Sequence, residues 1–118
     1  LGKLKRHEEA LNCFENVHKK HPSHMDALFH IGIELAELGN HKKAIEIFDQ
    51  LITKRKDNVN IIYAKSRSKS ALGEFPESLE LLKKAVNLNP KIIRAWAKEE
   101  KTFERLHSNE QFRKLVKL

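Results

Sequence analysis

The chain has 118 residues, of which 40% are hydrophobic and 33% are charged. This length suits one domain, and the hydrophobic fraction is too high for an intrinsically disordered chain. Only four glycines and three prolines are present, so the sequence excludes a sandwich or barrel of many strands, which requires many tight turns. No apolar run approaches the roughly 20 residues of a membrane-spanning helix.

Lysine and arginine total 23 against 16 acidic residues, which gives a formal net charge of +7 at pH 7. This charge favours anionic partners, namely acidic peptides, nucleic acid or an anionic membrane surface. The single cysteine, Cys13, excludes an internal disulfide and is typical of a reducing compartment, so we expect a cytoplasmic, intracellular protein. No signal-peptide pattern is visible. Because the chain begins with leucine and not with methionine, we expect it to be a fragment of a longer protein.

The predicted elements are all helical. Residues 1–24 carry an apolar side formed by Leu11, Phe14 and Val17, and Pro22 follows it. Four further helices have apolar residues at three- and four-residue steps and are predicted at 25–38, 41–55, 59–72 and 75–88. Gly39 and Gly73 lie just past the ends of two of these helices, where glycine commonly stops a helix.

Residues 93–118 form the last predicted segment. It contains an apolar cluster that includes Phe103 and Phe112. Ser108 and Gln111 have the spacing of a capping box, which predicts that Ser108 opens a short terminal helix.

Small and apolar residues recur at an interval of 34 positions. The aligned sets are Ala10, Ala44 and Ser78; Leu11, Ile45 and Leu79; Phe14, Phe48 and Leu82; Leu28, Ile62 and Trp96; and Leu38, Leu72 and Leu106. Because loops of about two residues join the paired helices, each period is predicted to form an antiparallel hairpin. The small side chains of Gly32 and Ser66 allow the two helices of a hairpin to approach closely. A single hairpin cannot bury both of its faces, so neighbouring hairpins must stack.

This pattern resembles the tetratricopeptide repeat, in which Trp-x2-Leu-Gly-x2-Tyr is followed by Ala-x3-Phe and Pro over 34 residues. The best copy, residues 25–58, contains Leu28, Ile31, Gly32 and Leu35, then Ala44 and Phe48. Residues 59–92 resemble a weaker repeat, residues 1–24 the second half of a first repeat, and residues 93–118 a degenerate last repeat with a cap. The resemblance implies an all-α fold over a single domain, 1–118. That fold is a right-handed superhelical stack of antiparallel helix hairpins (an α-solenoid) with a C-terminal capping helix.

The resemblance also implies a protein–protein interaction scaffold or adaptor that is not an enzyme and binds a peptide in a concave groove. Such repeats line the groove with the second, fifth, sixth, ninth and twelfth positions of each copy. The predicted peptide-binding residues here are Phe29, His30, Ile33, Tyr63, Arg67, Arg94, Lys98 and Lys101. Their apolar and cationic character predicts a ligand that carries an apolar anchor and acidic residues.

Two alternatives stay open. Related helical arrays bind RNA, and the basic charge favours nucleic acid, although acidic residues are interspersed with the basic ones where a continuous basic stripe would be needed. Self-association is the second alternative, because the apolar side of Leu11, Phe14 and Val17 belongs to a half-repeat. Either an upstream repeat of a longer protein covers that side, or a homodimer through the N-terminal half-repeat does.

The sequence gives no sign of a metal, a cofactor or a catalytic centre. His18, His21 and His24 are close in sequence, but no cysteine or carboxylate lies in the same short segment to complete a zinc site. No phosphate-binding loop, nucleophile elbow or His-Glu-x-x-His helix is present. We therefore expect no cofactor and no metal site.

Overall fold

The computed structural model describes residues 2–22 and 24–118, and within these residues it contains helices and no strand. The α-helices are α1 (Gly2–Lys20), α2 (Met25–Glu37), α3 (His41–Lys54), α4 (Val59–Ala71), α5 (Phe75–Leu88), α6 (Pro90–Glu99) and α7 (Glu110–Val116). A 3-10 helix, Lys101–Leu106, lies between α6 and α7. The all-α prediction is confirmed. The four central helices begin at the predicted residues and end within one residue of the predicted ends.

Asparagine side chains fix where most of these helices begin. The side-chain oxygens of Asn40, Asn58, Asn89 and Asn109 accept hydrogen bonds from backbone N–H groups in the first turns of α3, α4, α6 and α7. A cap of this kind stabilises a helix by about 1 kcal/mol. Gly39 and Gly73 follow α2 and α4 with φ of 88° and 78°, a conformation that glycine adopts without steric cost.

The chain forms two compact units, residues 1–56 and residues 57–118. In the first unit, α2 packs against both α1 and α3. Gly32 of α2 lies against Phe48 of α3 so closely that a Cβ at position 32 would be 2.6 Å from Cε1 of the Phe48 ring. The close approach predicted at Gly32 is therefore present, and the absence of a side chain is what allows it.

In the second unit, α4 packs against α5, and the two helices meet at Ser66 and Ser78, both fully buried. These small residues play the part that Gly32 and Ala44 play in the first unit. Leu82 fills the adjacent space and is also fully buried. The core of this unit continues through α6, the 3-10 helix and α7, with Ile93, Phe103 and Phe112 fully buried.

The C-terminal segment differs from the prediction in one respect. The cap of α7 is Asn109, whose Oδ1 accepts a hydrogen bond from the backbone N–H of Phe112 at 3.0 Å, and Ser108 is exposed one residue earlier. The prediction that a capping box begins at Ser108 is therefore wrong. Asparagine and serine both accept from a backbone N–H at this position, so the sequence offered two adjacent candidates. The superhelical arrangement and the repeat boundaries stay predictions.

Candidate functional site

On α2, three predicted peptide-binding residues lie together in the first unit. Phe29 and Ile33 are one helical turn apart, and both are partly exposed. His30 is exposed, and its ring stacks on Phe14 of α1 with a centroid distance of 4.8 Å. We refer to Phe29, His30 and Ile33 as the α2 face.

The core beneath the α2 face holds it in place. The Phe29 ring lies 6.0 Å from the Phe48 ring and 5.8 Å from the His30 ring. Phe48 is fully buried, so Phe29 extends the apolar core outward to the surface. An aromatic ring that is fixed on one side and open on the other offers apolar contact area at a low cost in side-chain entropy.

Among the predicted site residues, Tyr63 of α4 is the one whose side chain is buried, whereas a residue that lines an open groove would be accessible. Its side chain is only 5% exposed and lies between Trp96, at 5.5 Å, and Phe103, at 5.9 Å between ring centroids. Its hydroxyl is buried without a hydrogen-bond partner among the described residues. Burial raises the pKa of Tyr63 above its ordinary value of 10.0; Glu100 raises it further, and Arg67 opposes the shift.

Both predicted arginines of the second unit already have partners inside it. Nε of Arg67 is 3.1 Å from Oε1 of Glu100. Nε of Arg94 donates a hydrogen bond to the backbone carbonyl oxygen of Leu115 at 3.0 Å. Each cation is thus used to hold the C-terminal segment against α4 or α6, and a ligand carboxylate would have to compete for it.

Glu100 ends α6 and begins the 3-10 helix. Its second carboxylate oxygen accepts hydrogen bonds from the backbone N–H and the hydroxyl of Thr102, each at 3.2 Å. The backbone at Glu100 is extended, with φ −74° and ψ 120°, so the helix cannot continue through it. Lys101 therefore lies beyond the end of α6 and opens the 3-10 helix, whereas Arg94 and Lys98 lie on α6.

Lys98 and Lys101 are the predicted cations that remain accessible. Both side chains are exposed. Within residues 2–22 and 24–118, neither of them makes an ion pair. They are the cations of the predicted set that could reach an acidic ligand without breaking an internal contact.

Trp96 is an exposed aromatic residue that lies outside the predicted peptide-binding set. The interval of 34 placed it with Leu28 and Ile62, and Ile62 is buried, yet Trp96 is 46% exposed. The signal was present in Glu99 and Glu100, which replace the apolar-glycine pair of the repeat and end α6 one turn after the tryptophan. The short helix α6 is followed by the 3-10 helix, and Trp96 is left more exposed than Ile62.

The described residues show no group of three or more His, Cys, Asp or Glu side chains that could hold a metal ion. Nδ1 of His24 accepts the backbone N–H of Ala27 at 3.0 Å, so this histidine caps α2. Nor does the described part of the chain include a helix with both the length and the apolarity needed to cross a membrane.

The helices form short antiparallel hairpins with small residues where the paired helices meet. Some apolar and cationic side chains stay partly exposed. These features define an all-α helical-repeat protein of the kind that binds other proteins. A family model described as tetratricopeptide repeat matches residues 1–59, half of the chain. The chain therefore belongs to the tetratricopeptide repeat family. Repeats of this family generally mediate protein–protein interactions, and the family is typically a non-enzymatic scaffold. No curated protein matches the chain.

Proposed function

We propose that the chain is a scaffold or adaptor that binds a peptide segment carrying an apolar anchor and acidic residues. The observation that carries the proposal is the α2 face, where Phe29 and Ile33 stay partly exposed one turn apart while Ile31 beside them is buried. Two large apolar side chains on the same side of a helix are a suitable contact for the apolar anchor of a peptide.

The preference for acidic residues comes from the second unit. Arg67 and Arg94 are engaged internally, so we assign acidic residues of a ligand to Lys98 and Lys101, as a contact of the second unit that is separate from the α2 face. Exposed lysines contribute mainly to the association rate and to selectivity, because water and salt screen their charge. We therefore expect the apolar contact to supply most of the affinity. The exposed thiol of Cys13 supports an intracellular setting for such a scaffold.

A pair of synthetic peptides tests the proposal. Both carry two leucines four residues apart, and the remaining positions are mostly glutamate in one peptide and lysine in the other. Trp96 is the only tryptophan, so its fluorescence reports binding near α6, and amide NMR shifts report contact with the α2 face. We expect the glutamate peptide to bind more tightly, with shifts at Phe29 and Ile33.

Two charge-reversal variants separate specific contacts from net charge. Lys98→Glu with Lys101→Glu should weaken the glutamate peptide at least about fivefold, or about 1 kcal/mol. The matched control, Lys42→Glu with Lys43→Glu, changes two exposed lysines of α3 and alters the net charge equally. Equal weakening by both variants, or NMR shifts that leave out the α2 face, would contradict the assignment. Stronger binding of a single-stranded RNA oligonucleotide, with a steep loss on adding salt, would favour the nucleic-acid alternative.

A further inference from the structure

A pocket of about 320 Å³ lies in the first unit, between the first turn of α2 and the last turn of α3. Met25 and Leu28 line it from α2, and Leu51 and Lys54 line it from α3. Its volume is at the low end of the range for ligand pockets, about 300 to 1,000 Å³, so it suits a single ring-bearing side chain. We call it the α2–α3 pocket.

The lining of the α2–α3 pocket has an apolar base and a polar rim. Leu51 is 1% exposed, and Met25 and Leu28 are partly exposed. Gln50 and Lys54, which also line the pocket, are exposed. An apolar side chain that enters such a pocket leaves water on all sides but one, while the polar groups next to it in its own chain stay solvated.

The α2–α3 pocket lies at the position where the tetratricopeptide pattern has tryptophan. Leu28 occupies that position in the repeat 25–58, and Trp96 occupies it two intervals further along this chain. Leucine is smaller than tryptophan, and a packed structure closes such a space only in part. Here the two helices are held at a fixed separation by the contact of Gly32 with the buried Phe48. The missing group is therefore an aromatic ring.

Lys54 gives the rim of this pocket a positive charge. Its side chain is exposed, and across the described residues it makes no ion pair. Arg55 and Lys56 follow it directly and add to the positive charge. Because α2 begins and α3 ends at the pocket, the opposite partial charges of the two helix ends offset each other there. The charged side chains therefore set the electrostatic preference.

The acidic residues nearby do not neutralise Lys54. Those nearest in sequence to the lining of the pocket are Asp26, Glu46, Asp49 and Asp57. None of these four lines the pocket. Asp57 belongs to the second unit and lies 3.9 Å from Nζ of Lys84. A basic rim around an apolar base is complementary to an aromatic residue that has acidic neighbours.

We propose that the α2–α3 pocket binds an aromatic side chain of a partner peptide in which acidic residues flank the aromatic one. The ring packs on Leu51 and Leu28, and a neighbouring carboxylate contacts Lys54. The pocket lies between two helices, whereas the α2 face belongs to one helix, and neither proposal requires the other.

The methyl group of Met25 reports directly on this pocket. Met25 is the only methionine, so a methyl-labelled chain gives one NMR signal from the pocket wall. The probes are two peptides with a central tryptophan, flanked by glutamates in one and by lysines in the other. We expect the glutamate peptide to shift the Met25 signal and the lysine peptide to bind at least about fivefold more weakly. Replacement of the central tryptophan by alanine should abolish the shift.

Three variants of the chain locate the contact, and calorimetry measures each affinity. Leu28→Trp places the pattern residue in the pocket and should weaken the glutamate peptide at least about tenfold. Lys54→Glu should weaken it at least about fivefold. Lys42→Glu, which reverses an exposed lysine in the first turn of α3, is the matched control and should leave the affinity unchanged. Circular dichroism verifies folding, and if Leu28→Trp unfolds the chain, the two lysine variants decide the result.

The same variants separate this proposal from the peptide-binding proposal. The glutamate peptide with two leucines, which tests the α2 face, should bind Leu28→Trp as it binds the wild type. A Met25 signal that does not move at millimolar tryptophan peptide would overturn the assignment of the pocket. Equal affinity for the wild type and Leu28→Trp, or equal losses from Lys54→Glu and Lys42→Glu, would do so as well.

Other occupants give different results, and each would also overturn the proposal. A Met25 signal that changes with protein concentration, and no longer does so in Trp96→Ala, would assign the pocket to a second copy, because Trp96 is 46% exposed. Binding of free indole-3-propionate as tightly as the glutamate peptide would assign it to a small aromatic acid. Loss of the peptide response in a longer chain that includes neighbouring segments would assign it to a segment of the same protein.

Discussion

Ser66 and Ser78 exchange hydrogen bonds between α4 and α5: each hydroxyl donates to the carbonyl oxygen of the other residue at 2.8 Å. Both side chains are fully buried, and their hydroxyl oxygens are 3.2 Å apart. The pair therefore joins the two helices with polar groups that satisfy each other. In the first hairpin, Gly32 and Ala44 occupy the same positions and no such bonds are possible, so the two hairpins achieve close packing in different ways.

We predict that Ser66→Ala lowers the free energy of unfolding by about 1 kcal/mol, because one buried hydrogen bond is lost. Alanine is the better helix former, so the measured loss understates the contribution of the bond. Urea unfolding of the two single variants and of Ser66→Ala with Ser78→Ala gives the coupling between the residues. Additive losses, with a coupling energy below about 0.3 kcal/mol, would show that the two bonds do not act together.

Gly32→Ala should destabilise the chain by about 1 to 3 kcal/mol, although alanine normally stabilises a helix relative to glycine. The added Cβ would lie 2.6 Å from the Phe48 ring, which is fully buried and cannot move away freely. Thermal unfolding measures the loss. A second change, Phe48→Leu, should restore part of it when combined with Gly32→Ala, because the second hairpin pairs Ser66 with Leu82 at these positions. If Gly32→Ala is neutral or stabilising, the close contact is not as tight as the structure indicates.

Replacement of two adjacent residues tests the start of α7. Asn109→Ala removes the acceptor for the backbone N–H of Phe112 and should cost about 1 kcal/mol. Ser108→Ala, one residue earlier and exposed, should change the stability by less than about 0.5 kcal/mol. Denaturant unfolding of the two variants compares them directly, and the reverse order of effects would return the cap to Ser108.

Tyr63 predicts a loss of stability in alkaline solution. Its pKa is raised in the folded chain, first by burial and then by Glu100, whereas the unfolded chain ionises near the ordinary value of 10.0. Above that pH the unfolded state binds fewer protons than the folded state at this residue, so stability falls as the pH rises. At neutral pH, Tyr63→Phe should be nearly neutral, because the buried hydroxyl has no hydrogen-bond partner among the described residues.

Urea unfolding of the wild type and of Tyr63→Phe between pH 7 and pH 11 measures this effect. Both proteins contain the same lysines, so the titration of lysine cancels when the two stabilities are compared. The two stability curves should separate above about pH 10, with the wild type falling faster. Tyr63 is the only tyrosine, so phenolate absorbance gives an independent reading of its titration. Parallel curves together with ionisation near the ordinary value would contradict the raised pKa.

The helices could be predicted because their signals are local. These signals are glycine after α2 and α4, asparagine before α3 and α4, and apolar residues at three- and four-residue steps. Each of them depends on residues only a few positions apart. The interval of 34 then showed that Gly32 and Ser66 are equivalent, and the structure places both at helix crossings. The end of α6 was less predictable, because Glu100 is tolerated inside many helices, and here its carboxylate is held by Arg67 and Thr102.

The sequence by itself determined the helices, their pairing into hairpins and the tetratricopeptide family, because each depends on spacing along the chain. Only the tertiary structure decided which of the predicted interaction residues remain accessible. Tyr63 and Trp96 both appear in the repeat pattern, yet one is buried and the other is half exposed. Arg67 and Lys98 are both cations at predicted positions, yet only Arg67 is paired with Glu100. Accessibility depends on where the C-terminal segment packs, and that packing joins residues far apart in the chain that no local pattern relates.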